Sequence, residues 1–200
     1  MAATHGSARG SVANFVKFFD KAKKSGLCGL QSEQSWYMPR EALEEYWTGE
    51  RIATVLETLE RLAKPPVDTI RASYRRVFSI LVYIGRPVYI TEFVNRDIDD
   101  TNLPFVEPTW PYQTNLGPVF GDTISRFCDE QWKFCPVEFH GNGVMHRRAM
   151  DSRQVLPFTN KEILRDDVQG RLYKVEVQGN LDQKERDRIV SSAAYNPLSG

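Results

Sequence analysis

The segment from Asp68 to Phe105, DTIRASYRRVFSILVYIGRPVYITEFVNRDIDDTNLPF, holds the chain's clearest helical period, its longest apolar run and its plainest stop signals. Ile70, Tyr74, Val77, Phe78, Leu81 and Val82 repeat at the spacing of one helical stripe, which predicts a helix over about residues 69 to 84 facing a core. Asp68 follows Pro65-Pro66 and is the expected N-cap. Gly85 stands where a left-handed residue closes a helix, and Pro87 prevents continuation. A second, shorter helix is expected from Pro87, burying Ile90, Phe93 and Val94. Burying six large side chains is worth roughly 1.5–3 kcal/mol each before entropy is subtracted, so this pair of helices is central to stability.

The flanking chain reads as further short elements. Residues 1–10 are small and polar and are expected to form a disordered lead-in. Val12, Phe15, Val16, Phe19 and Ala22 then make an amphipathic helix ending at Ser25-Gly26, with Lys17, Lys21, Lys23 and Lys24 on its solvated side. Trp36-Tyr37-Met38 reads as extended before Pro39. Helices are expected over Glu41–Trp47 and Gly49–Ala63, the second burying Ile52, Val55, Leu56, Leu59 and Leu62. Residues 106–121 read as a surface loop pinned by Trp110 and Tyr112, and Asp122 as the cap of a short helix carrying Ile124, Phe127 and Cys128. WKFCPVEF, with Trp132, Phe134 and Phe139, suggests a strand or extended edge. HGNGVMHRRAMDSRQ is turn-like, RLYKVEV over Arg171–Val177 alternates as a strand should, and the tail from Gln178 is polar. The sum is a mainly helical α+β fold.

Composition narrows the function. The 26 basic and 26 acidic residues give zero net charge. That argues against a general nucleic-acid binder and against attraction to an anionic membrane surface. The N-terminus has no apolar core of a signal peptide, and the run Phe78–Ile84 is far too short to span a bilayer. Three cysteines, an odd number, fit reduced thiols, and an intracellular, cytoplasmic protein is expected.

The chemical constellations are sparse. Asp97, Asp99 and Asp100 crowd one turn, but without the glycine and distal glutamate of a calcium loop they read as turn caps. Cys128, Cys135, His140 and His146 are spaced too widely for a zinc knuckle, and the cysteines read as small buried residues. A cysteine or zinc hydrolase built on these four residues stands as a rival reading. Arg71, Arg75 and Arg76, and His146 with Arg147 and Arg148, can hold phosphates or can be solvated surface. The chain carries no nucleophile-elbow, zinc-protease or P-loop signature. A winged-helix-like DNA binder using the central helices is disfavoured by charge.

From Val155 onward, VLPFTNKEILRDDVQGRLYKVEV resembles the entry into a protein-kinase domain. Together with RRVFSILVYIGRPVYITEFVNRDIDDTNLPF and QWKFCPVEF, it resembles, over roughly residues 35–178, the N-terminal region of filamentous-fungal serine/threonine protein-kinase-like proteins. The resemblance implies a helical interaction or regulatory domain over 11–150, a truncated start of a kinase N-lobe over 151–178 and a polar tail over 179–200. It aligns the last glycine of the Gly-rich loop with Gly170 and its valine with Leu172, the only nucleotide-contacting positions it implies. The earlier glycines fall on Arg165 and Asp167, and a carboxylate there repels phosphate. No lysine strand, catalytic loop or metal-binding aspartate motif follows Val177. The resemblance therefore implies no phosphoryl transfer by this chain alone and no catalytic residue or cofactor. ATP is not expected as a partner, and a protein partner is. If the chain is the front of a longer kinase, the catalytic motifs lie downstream.

Overall fold

The computed structural model describes residues 3–28, 33–59, 64–105, 118–137, 151–167 and 170–177. The fold is α+β and mainly helical. Two units divide the chain, one of residues 1–24 and 38–135, the other of 25–37 and 136–200. The strands near residues 24–37 thus belong with the C-terminal part, which spacing along the chain does not reveal.

The first unit is built of helices. α1 (Ala3–Ala22), α2 (Arg40–Tyr46), α3 (Gly49–Glu57), α4 (Val67–Ser73), α5 (Arg75–Tyr83), α6 (Ile90–Asn95) and α7 (Pro118–Glu130) follow in order, with a 3-10 turn at Pro87–Tyr89 leading into α6. The helix α1 begins at Ala3, so most of the expected disordered lead-in is helical. Once the packed part of α1 has nucleated the helix, each residue added upstream closes another backbone bond at little further cost.

The apolar stripe of the central segment is buried as expected: Ile70, Val77, Phe78, Leu81 and Val82 are fully inaccessible and Tyr74 nearly so. The helix carrying it is broken, however. Tyr74 leaves helical geometry at φ −122°, ψ 20°, separating α4 from α5. Asp68 lies in the first turn of α4 rather than at its cap, a position occupied by Pro66. At the other end, Gly85 takes φ +72°. Its N–H donates to the Val82 carbonyl and that of Arg86 to Leu81, the two bonds of a Schellman closure. Pro87 opens the next turn, and Ile90 and Phe93 are buried.

α3 starts at the Thr48 hydroxyl, which accepts from the Arg51 amide at 3.3 Å. Ile52, Val55, Leu56 and Leu59 are buried, while Leu62 lies outside the described residues. Aromatic rings join the helices. Trp47 packs against Phe15 and Phe78 at centroid distances of 5.0 and 4.9 Å, and its Nε1–H donates to the Ser79 hydroxyl at 2.7 Å.

α7 begins at Pro118, so Asp122 stands inside the helix and does not cap it. A proline preset to helical φ starts the helix earlier than the acidic residue suggests. WKFCPVEF forms no strand over its described part: Gln131–Lys133 is a 3-10 turn, and Cys135–Val137 is irregular. Trp132 and Phe134 are both buried. Phe134 packs on Phe19 and Tyr83 at 5.4 and 5.5 Å. The fully buried Gln131 closes this region: its side-chain oxygen accepts from the Phe105 amide at 2.7 Å, and its amide donates to the carbonyls of Phe105 and Cys128. Phe139, Trp110, Tyr112 and the tail beyond Val177 lie outside the described residues.

The second unit holds two small antiparallel sheets. In the first, β1 (Lys24–Cys28) lies between β2 (Glu33–Tyr37) and β3 (Val155–Leu156), pairing Leu27 with Leu156 and Cys28 with Val155. Residues 24–28, expected as a helix end and a turn, are this strand. Gly26 makes it possible, since a Cβ there would lie 2.6 Å from the Leu156 carbonyl oxygen and 2.8 Å from a Val155 methyl. In the second sheet, β4 (Phe158–Asp167) pairs with β5 (Gly170–Val177), which contains the expected RLYKVEV strand. Among the described residues no helix is long and apolar enough to cross a membrane.

Candidate functional site

The crowded aspartates form a connected set of caps in the helical unit. Asp97 turns the chain after α6 at φ +55° and accepts the Tyr74 hydroxyl at 3.3 Å. Burial, and then the Asp97 charge, raise the Tyr74 phenol above its ordinary range. Asp99 caps the 3-10 turn Asp100–Asn102 with a reciprocal capping box: its carboxylate takes the Thr101 amide, and the Asn102 side chain takes the Asp99 amide, both at 2.8 Å.

Asp100 reaches back across the fold. Its two carboxylate oxygens accept the Arg76 and Val77 amides, each at 2.9 Å, and so cap α5 from 23 and 24 residues away. This cap explains the break at Tyr74. A continuous helix would spend those amides on its own carbonyls, whereas the carboxylate satisfies them and favours a new helix start there. Burial raises the Asp100 carboxyl above the ordinary carboxylate value, outweighing the two backbone bonds and the Arg76 charge, which lower it.

Beside this cap lies a cleft of about 330 Å³ lined by Arg40, Leu43, Arg75, Arg76, Asp100 and Thr101, with Ala72, Ser73 and Asp99 completing the wall. Glu44 organises its basic side. One carboxylate oxygen meets Arg40 Nε and Arg75 Nη1, both at 3.1 Å. Two guanidinium groups from separate helices are thereby held at one place. Arg71, the third member of the expected arginine group, pairs instead with Asp68 at 3.8 Å along its own helix.

Of the four cysteines and histidines, only the two cysteines fall among the described residues. Cys128 on α7 and Cys135 beyond it are buried in the helical core, while His140 and His146 lie outside the described residues, as do Arg147 and Arg148. Among the described residues no group of three His, Cys, Asp or Glu side chains is placed to hold a metal.

The positions singled out by the kinase resemblance lie on the hairpin. Gly170 opens β5 opposite Asp167, and Leu172 stands opposite Arg165, so Arg165 and Asp167 are strand residues. The chain between Asp167 and Gly170 is only two residues long and lies outside the described residues. Sequence reasoning missed Glu44 and Arg40 as members of a site, although their i, i+4 spacing on a helix was a signal. No family model, no curated protein and no solved structure matches this chain.

Proposed function

We propose that the helical unit is a non-catalytic interaction or regulatory module of a kinase-like protein, and that its binding surface is the arginine cleft. The observation carrying this reading is the Glu44 bridge, which holds the Arg40 and Arg75 guanidinium groups together over a cleft of about 330 Å³. Guanidinium groups fixed in advance bind carboxylate or phosphate oxygens with less loss of side-chain entropy. Asp99 and Asp100 line the same wall, with both Asp100 oxygens and one Asp99 oxygen taken by backbone amides of the fold. The partner that suits this cleft is an acidic or phosphorylated segment of another protein.

The hairpin supports the kinase-like half of the reading by sequence order alone, Gly170 and Leu172 being its remaining loop positions. Two titrations of the purified chain test the whole. A phosphoserine peptide flanked by acidic residues is expected to bind saturably, and Arg75→Ala to weaken it at least tenfold, while millimolar Mg²⁺-ATP gives no saturable heat. Saturable Mg²⁺-ATP binding would replace the non-catalytic reading with that of an active kinase front end. Equal peptide binding by wild type and Arg75→Ala would remove the cleft from the account.

A further inference from the structure

We infer that the arginine cleft takes a phosphate monoester in preference to a carboxylate, and that Glu44 sets this choice. The inference rests on the cleft being the binding surface and names the chemistry of the group it takes. Glu44, on α2, offers a single carboxylate oxygen to Arg40 Nε on its own helix and to Arg75 Nη1 on α5, at 3.1 Å each. Both guanidinium groups therefore already hold a carboxylate.

Charge around the cleft is balanced as well. Arg40, Arg75 and Arg76 line its wall together with Asp99 and Asp100, and Glu44 brings a third carboxylate to the same arginines. An incoming anion thus meets no excess of positive charge, and binds only by being a better partner than the one in place.

A ligand carboxylate is no better. It has the same oxygens and the same single charge as Glu44, and on binding it loses translational and rotational freedom that a side chain tethered to α2 does not lose. A phosphate monoester differs in kind, with a charge of about −1.5 to −2 at neutral pH and three strong acceptor oxygens. It can engage both guanidinium groups at once through charge-assisted bonds. The bridge it must loosen is accessible, since the side chains of Arg40 and Glu44 are 63% and 44% exposed, and ion pairs so exposed are weak. The acidic wall opposes it less than its formal charge suggests, because both Asp100 oxygens and one Asp99 oxygen accept backbone amides.

The test is calorimetric titration of the full chain, wild type and Glu44→Gln, with two peptides. One is the phosphoserine peptide flanked by acidic residues, and the other has glutamate in place of the phosphoserine. The variant keeps a side-chain carbonyl that accepts from guanidinium, so the arginines stay placed while the competing charge is gone; circular dichroism checks its fold. Wild type is expected to bind the phosphopeptide at least about tenfold more tightly than the glutamate peptide. Glu44→Gln is expected to bind both peptides more tightly and to gain most for the glutamate peptide, so that the preference shrinks to about threefold or less. Equal binding of the two peptides by wild type would overturn the inference and leave the cleft as the binding surface. A folded Glu44→Gln that loses phosphopeptide affinity, or keeps the full preference, would also overturn it, since Glu44 would then only brace the arginines. Failure of wild type to bind either peptide would remove the cleft reading itself, and this inference with it.

Discussion

The helical unit and the β4–β5 hairpin solve the same problem in opposite ways. The helical unit buries its large side chains and turns its acidic residues inward to serve its own backbone: Asp99 and Asp100 cap turns and helices, and Gln131 clamps Phe105. The hairpin leaves Ile163 and Leu164 open to water, and its cross-strand ion pair of Lys174 with Glu162 is itself exposed. The difference teaches that polar residues in a turn-rich stretch can be internal fittings of a fold. Apolar residues in a strand can equally be surface.

The largest way to break that contrast is at Trp47. Trp47→Ala removes a side chain 2% exposed that packs between Phe15 and Phe78, and is expected to cost about 3–5 kcal/mol in urea denaturation. Next is Gly26→Ala, whose Cβ meets the Leu156 backbone oxygen, an atom that cannot swing aside. A cost of about 1–3 kcal/mol is expected, read as faster amide exchange in β1 and β3.

Asp100→Ala leaves the Arg76 and Val77 amides without their acceptor and is expected to cost about 1–2 kcal/mol. Its pH dependence has a definite sign. Burial raises the folded carboxyl above the ordinary value of 3.8, so the folded chain holds that proton more tightly than the unfolded one. The resulting stability is fully present below 3.8 and is lost as pH rises through the raised value. Asp100→Asn, which cannot titrate, is expected to flatten that decline in denaturation curves collected across the acidic range. The smallest effect is Gly85→Ala: φ is +72° with open space around the position, so strain alone costs about 1 kcal/mol in thermal unfolding.

The legible part of the fold was what local pattern encodes. The stripe from Ile70 to Val82, the Gly85 closure and the Pro87 start all follow from spacing and backbone preference, and the structure agrees at each. The turn-cap reading of Asp97, Asp99 and Asp100 agrees too, although the sequence does not say that the carboxylate of Asp100 reaches a helix 23 residues upstream. Long-range partners lie behind three of the misses. The break at Tyr74 depends on Asp100, and strand β1 depends on Val155 and Leu156. Trp132 and Phe134 fold as a turn because Gln131 and the aromatic core hold them. Of the candidate site, Arg75 and Arg76 were visible as a group, but their association with Arg40 through Glu44 is a tertiary contact.

The contrast between the two regions is tested most directly by native-state hydrogen exchange on the full chain at low and high protein concentration. Amides of α5 are expected to exchange only with global unfolding at both concentrations. Those of β4 and β5 are expected to exchange far faster at either concentration. Hairpin amides as protected as those of α5 in dilute protein would contradict the account, because the hairpin would then be as self-sufficient as the helical core.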